Sequence, residues 1–396
     1  MKDYTKVFFH IDVNTAYLSW EAVYRLSQGE EIDLREIPSV IGGEESSRHG
    51  VVLARSIPAK RYGVMTGESL LFARKKCPNL TVVPARHGLY EQYSHAFIKL
   101  LGDYSPCTEQ FSIDECFLDY TNMEMHFGPP VQAAHDIKAR IKKELGFTVN
   151  IGISTNKLLA KMAGELKKPD LVHTLYPDEI QAKIWHLPIR ELYMVGKTTA
   201  ETLQGEGIMT IGQLACTDPA MITRLLGKRG DVIWHYANGI EKHPVQQCAG
   251  TKAKGISNTT TVAVDIIDRK TAYKVLLSLT ENVSTRLRES CFKAQVISVT
   301  LRSSDFHDYS RQRKLNMATN STTQLYEIAC QLFDEAWKKE PLRQLGVCAT
   351  ELCSGDQIQL TMGDSCVIRQ EKLDEAIDGI RNKYGDKAIM RSTLLK

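Results

Sequence analysis

The first strongly apolar run along the chain is VFFHID at 7–12, short enough for a buried strand. Apolar positions then recur at helical spacing from Asn14 to Leu26, with Asn14 placed to cap the helix. Residues 31–80 carry Pro38, Gly42, Gly43, Pro58, Gly63, Gly67 and Pro78, a density of breakers that predicts a small, irregular insertion. TVVP at 81–84 restores strand character, and 88–104 returns to a helical period. TEQFSIDECFLDYT reads as two strand-like arms meeting near Ser112–Glu115, a hairpin. A helix over 130–145 and a strand over 147–153 complete this mixed segment. Residues 155–240 are helical with short loops. From 251 onward, strands TTTVAVDI, AQVISVTLRS, HDYSRQRKL and QLGVCATEL alternate with helices over 268–290 and 321–339. That order is a β-α-β-β-α-β unit. A polar tail follows, with a helix from about Gln370 to Tyr384. The fold class expected is therefore α+β, in several domains.

Composition narrows the picture. With 396 residues, 43% hydrophobic and 24% charged, the chain has ordinary globular material for two to four cores. No apolar stretch is long enough to span a membrane. The start MKDYTKVFFHID lacks the apolar centre of a secretion signal, so a cytoplasmic location is expected. Ten cysteines are scattered singly from Cys77 to Cys366 with no C-x-x-C pair, which fits free thiols in a reducing compartment better than a zinc site. Net charge is only +3, so any polyanionic partner must be recognised through local charge.

The candidate chemistry is acidic. Asp12 closes the first strand, and Asp114 and Glu115 sit at the hairpin turn. If that strand lies beside the hairpin, three carboxylates meet at one sheet edge. Hard oxygen donors in that number suit Mg²⁺, and two such ions about 4 Å apart stabilise attacking and leaving oxygens in phosphoryl transfer. On spacing alone, ordinary strand-end and turn residues explain the pattern equally well.

HIDVNTAY together with FSIDECFLD closely resembles the two acidic motifs of the Y-family, lesion-bypass DNA polymerases. The likeness continues through A-R-x-x-x-A-K-x-x-G-V from Ala54 to Val64, GISTNKLLAKMAGELKKP at 152–169 and MVGKTTAETLQGEGI at 194–208. The Asp-Val-Asn start is similar to the UmuC-type branch, and the tail to a bacterial, Firmicute-type member. The resemblance implies a right hand: palm at 1–30 and 81–165, small fingers at 31–80, a helix–hairpin–helix thumb at 166–242 and a little finger at 251–352. The tail 353–396 follows. It implies low-fidelity, template-directed synthesis from dNTPs on primer-template DNA by a monomer with two Mg²⁺ ions. Asp12 and Asp114 would bind both ions, Glu115 the ion that activates the primer 3′-hydroxyl, and the Val13 carbonyl would complete one shell.

The same resemblance assigns Lys60 and Lys168 to the triphosphate. Ile57 stands where many members carry a phosphate-contacting tyrosine, and Lys60 where many carry arginine; Arg55 is the candidate to compensate. By the same resemblance, the small residues Ala54 and Ser56 would lie near the templating base. Tyr17, five residues after Asp12, falls where the family places the aromatic that blocks a ribose 2′-hydroxyl, preceded here by small Ala16.

VGKT at 195–198 lacks the first glycine of a phosphate-binding loop, because Glu191 stands there. The better reading is a helix–hairpin–helix whose Val195, Gly196, Lys197 and Thr198 meet a DNA phosphate. Residues 245–350 hold 15 Lys and Arg against 10 Asp and Glu, and Arg302, Arg311 and Arg313 are expected on a basic sheet face along the DNA backbone. Gln359–Met362 resembles a sliding-clamp peptide whose terminal aromatic is replaced by Gly363. The alternative from another class is a non-catalytic scaffold that binds DNA or a clamp.

Overall fold

Strand β1 (Phe8–Val13) is buried along its whole length, so both of its faces must be covered. Phe9, Ile11 and Val13 belong to the main core, whereas Phe8 packs with Phe117, Ala160 and Val245 on the other side. This computed structural model describes residues 5–43, 50–241, 243–245, 253–354, 365–385 and 388–394. They fall into two units, one holding the described residues of 5–43 and 50–245, the other those of 253–394.

In the first unit, β1 leads into α1 (Ala16–Ser27). Thr15, in the left-handed region at φ 49°, caps this helix rather than Asn14. Asn14 is buried, and its amide donates to the Thr148 hydroxyl. The glycine- and proline-rich insertion is more regular than its composition suggests. It forms β2 (Ser39–Gly42), β3 (Val52–Arg55), α2 (Ile57–Arg61) and α3 (Leu70–Lys76) around their own small core, which includes Val40, Val52, Val64 and Leu70. Strand β4 (Thr81–Pro84), which the resemblance assigns to the palm, pairs in parallel with β2 of the insertion. Four residues of TVVP are enough to seal Val83 into the core from that position.

Next come α4 (His87–Gly102), β5 (Thr108–Gln110), β6 (Glu115–Asp119), α5 (Glu124–Phe127), α6 (Pro130–Leu145), β7 (Val149–Ser154), α7 (Lys157–Glu165) and β8 (Val172–Thr174). The large sheet has the order β5-β6-β1-β7-β8, with β1 central and antiparallel to both neighbours. Aromatic and aliphatic residues of α4 and α6, among them Phe97, Ile137 and Ile141, cover one face. Helix α7 covers the other, and glycine decides how closely. A Cβ on Gly152 would lie 1.9 Å from the Ala160 carbonyl oxygen and 2.4 Å from the Gly164 nitrogen. The Asn150 amide ties down the end of α7 by donating to the Gly164 and Lys167 carbonyls at 3.0 and 2.7 Å. A helical segment follows: α8 (Ile180–Lys183), α9 (Lys197–Gly205), α10 (Ile211–Cys216), α11 (Pro219–Leu226) and α12 (Lys228–Ala237).

The second unit is β9 (Gly255–Ile266), α13 (Arg269–Glu289), β10 (Phe292–Ser303), β11 (Asp308–Thr319), α14 (Thr322–Ala336) and β12 (Leu342–Ser354), the expected order. Its sheet runs β11-β10-β12-β9, and both helices bury their apolar stripes on one face of it. The tail helix α15 (Ser365–Tyr384) returns to these helices. Buried Asp374 accepts from the Thr322 N–H at 2.9 Å at the start of α14, and Arg288 pairs with Asp378 at 2.6 Å.

Candidate active site

Antiparallel pairing sets Asp12 directly opposite Glu115. Cross-strand partners place their Cβ atoms about 5 Å apart on one face. The Val13 N–H donates to the Asp114 carbonyl at 3.0 Å, which draws the hairpin turn onto the end of β1. The turn closes through the Phe111 and Ser112 N–H groups on the Glu115 carbonyl. Three carboxylates thus come to one sheet edge, although 102 residues separate Asp12 from Asp114.

Each carboxylate already has a partner. Asp12 accepts from the Lys168 ammonium at 2.6 Å, Glu115 from Lys161 at 2.6 Å, and Asp114 from the Ser112 hydroxyl at 2.6 Å. The two ammonium groups stand in for the positive charge that such an edge attracts. Among the described residues, no three acidic, histidine or cysteine side chains are gathered tightly enough to ligate one ion. The donor set is nevertheless all hard oxygen at one edge, the chemistry that fits Mg²⁺.

The electrostatics divide these acids. Burial raises Asp12 from the ordinary 3.8 to about 6, and the Lys168 ammonium only partly opposes this. Burial also pushes Glu115 upward, but hydrogen bonds from His10 and Lys161 prevail and hold it at about 2. His10 is fully buried behind the site, with Nε2 3.4 Å from the Glu115 carboxylate. Burial lowers its pKa, so the ring supplies a neutral N–H.

A cavity of about 610 Å³ opens beside Asp12 and Asp114. It gathers Val13, Tyr17, Ala54, Arg55, Ser56, Lys60 and Lys168, so most of the nucleotide residues expected from sequence share one space. Two of them are held by bonds within the insertion. The Ser56 hydroxyl caps α2 by accepting from the Ala59 N–H and donates to the Ile37 carbonyl, so this small residue shapes the wall. The Arg55 guanidinium donates through one nitrogen to the Val64 carbonyl, which ties it to the insertion while it lines the cavity. Lys60 is exposed at the cavity, and Tyr17 is half-buried there.

The DNA-contact residues also separate. Gly196, Lys197 and Thr198 are exposed at the start of α9. Val195 is buried in the helical core and its N–H donates to Leu192, so it anchors the turn. In the second unit, the register sets Arg311 opposite Val299 and Arg313 opposite Ile297. Cross-strand partners share a face, so both arginines lie on the helix side of the sheet rather than on its open side. Arg313 donates to Gln331 and Glu335 of α14 accordingly. The open side carries Arg302, paired with Asp308 at 2.6 Å, and rows of hydroxyls from Ser257, Thr259, Ser298, Thr300 and Ser310. It is polar rather than basic. Gln359–Met362 lies outside the described residues.

His10, Lys161 and Tyr90 were not singled out from sequence. A signal existed for one of them: Lys157, Lys161, Glu165 and Lys168 recur at helical spacing, a polar stripe on a helix otherwise buried.

Residues 11–165 match the model of the impB/mucB/samB family, and 253–362 match that family's C-terminal domain. A "DNA polymerase IV" of Clostridium acetobutylicum is 50% identical over 393 residues, covering 99% of each chain. "DNA polymerase IV 2" of Bacillus subtilis is 34% identical, covering 98% of this chain and 95% of its own. These two relatives carry the polymerase IV name, not that of the UmuC-type branch that the Asp-Val-Asn start suggested. Among solved structures, a Y-family DNA polymerase chimera superposes with a TM-score of 0.77 at 23% identity, over 88% of this chain and 99% of its own. An acidic sheet edge beside a cavity lined by Tyr17 and Lys168, matched over nearly the whole length by such relatives, leaves one conclusion: the chain belongs to the impB/mucB/samB family, the Y-family DNA polymerases.

Proposed function

We propose that this protein is a low-fidelity, template-directed DNA polymerase that copies past damaged bases, joining dNTPs to a primer 3′-hydroxyl in a divalent-metal-dependent reaction. The observation that carries this reading is the register of Asp12 against Glu115, with Asp114 adjacent, at the mouth of the cavity. Asp12, Asp114, Glu115 and the Val13 carbonyl would hold two Mg²⁺ ions. When bound, these ions supply charge neutralisation at the phosphates and lower the pKa of the primer hydroxyl.

The chain's own residues do the positioning. Lys168 exchanges its bond to Asp12 for the triphosphate, and exposed Lys60 adds a second ammonium. Lys161 and His10 hold Glu115 ionised until it is needed. Tyr17 excludes a 2′-hydroxyl by contact. The five-stranded sheet serves as palm and the three-stranded sheet as fingers. Residues 166–242 serve as thumb, the second unit as little finger. Gly196, Lys197 and Thr198 bind DNA phosphate, and the hydroxyl-rich sheet face follows the backbone. The enzyme works as a monomer in a bacterial cytoplasm. Gln359–Met362 engages the sliding clamp weakly, because the missing aromatic anchor is the kind of group that commonly supplies about 2 kcal/mol or more.

Primer extension on undamaged and damaged templates tests the reading. Asp114→Ala and Glu115→Ala are expected to abolish extension while DNA binding persists. Wild-type rates in the double variant would refute the assignment.

A further inference from the structure

Tyr17 does not stand alone. Its ring stacks on Tyr90 of α4 with centroids 4.8 Å apart and planes 16° from parallel. Tyr90 is fully buried, and its hydroxyl donates to the Glu21 carboxylate at 3.3 Å. Glu21 is itself fully buried and accepts from Arg25 at 2.7 Å and from Arg86 at 2.6 Å. On its edge, Tyr17 meets exposed His87 at 5.9 Å. One face of the Tyr17 ring is therefore backed by a ring that cannot retreat. A residue that rejects a 2′-hydroxyl by clash discriminates only as strongly as it resists displacement, and an aromatic side chain at a helix start has other staggered rotamers open to it.

We propose that Tyr90 is a positioning residue for sugar discrimination: it is the backstop that holds the Tyr17 ring in the path of a ribose 2′-hydroxyl. The Glu21–Arg25–Arg86 cluster fixes the backstop, and His87 limits sideways slip. This rests on Tyr17 acting as the sugar-excluding residue. It extends that reading to a side chain 73 positions away that is not among the residues lining the cavity.

The test is single-nucleotide insertion, read as kcat/KM for a dNTP over that for the matching rNTP. Tyr17→Ala comes first: an unchanged ratio there removes the gate reading itself and the backstop with it. With Tyr17→Ala lowering the ratio, Tyr90→Met is expected to lower it about three- to tenfold, the scale of an aromatic stack. The loss should lie in faster rNTP insertion, with dNTP insertion changed by less than about threefold. Tyr90→Phe keeps the ring and removes only the bond to Glu21, so the ratio should return to within about twofold of wild type. In the Tyr17→Ala background, Tyr90→Met should change nothing further. A wild-type ratio in folded Tyr90→Met overturns the proposal, as does an equal loss on dNTP and rNTP. Should Tyr90→Met not fold, exposed His87→Ala decides: a ratio about two- to threefold lower supports the proposal, and an unchanged ratio overturns it.

Discussion

Asp12→Asn should stabilise the metal-free protein, and increasingly so as pH rises. Asp12 is buried and its carboxyl is raised from 3.8 to about 6, so the folded state binds this proton more tightly than the unfolded chain does. A raised carboxyl favours folding when protonated, and that advantage is lost as pH climbs from the unfolded value through the folded one. At neutral pH the ionised, buried carboxylate then costs about 3 kcal/mol relative to strong acid, at about 1.4 kcal/mol per unit. Roughly half of that cost develops between about pH 5 and pH 7.5. Asparagine keeps the shape and removes the charge. Loss of the Lys168 pair adds an offset, but a constant one, because Lys168 stays charged throughout this range and keeps its bond to Glu165 at 2.8 Å. The assay is thermal unfolding of both proteins in chelator at about pH 5 and about pH 7.5. The Tm gap should widen in favour of the variant by about 3–6 °C for a unit of this size. Added Mg²⁺ should then raise the wild-type Tm and leave the variant's nearly unmoved. A gap that stays constant with pH would refute the burial argument, and equal Mg²⁺ stabilisation would remove Asp12 from the metal site.

Lys168→Ala should raise KM for dNTPs about ten- to a hundredfold, the worth of a charge-assisted bond, with a smaller change in kcat; an unchanged KM would exclude a phosphate contact. Gly152→Ala should lose more than about 3 kcal/mol or fail to fold, since its Cβ would overlap the Ala160 carbonyl at 1.9 Å, and native-like unfolding by circular dichroism would contradict this. Asp374→Ala should cost the second unit about 3–5 kcal/mol, because it strips a buried partner from the Thr322 N–H and leaves Arg288 less compensated, which denaturant unfolding measures.

Much was determined by the sequence alone. The apolar run at 7–12, the hairpin around Ser112–Glu115 and the βαββαβ order after residue 251 all rest on local periodicity, which survives folding because each element buries its own apolar face. The three acids could be named because their spacing matched a family pattern. What the sequence could not determine was pairing. Strand 81–84 has the same local character whichever sheet it joins, and only the match of its register to β2 settled its place. Arg311 and Arg313 share a face by alternation, but which face depends on the partner strand, and a pairing opposite Val299 and Ile297 turned them toward the helices. The bonds of Arg55 and Ser56 could not be read from sequence because their partners, Val64 and Ile37, come close only once the insertion has folded. The lysine-held carboxylates and the Tyr17–Tyr90 stack are likewise tertiary facts. Charge and ring contacts depend on distances of a few ångströms between residues far apart in the chain, and sequence order carries no record of such distances.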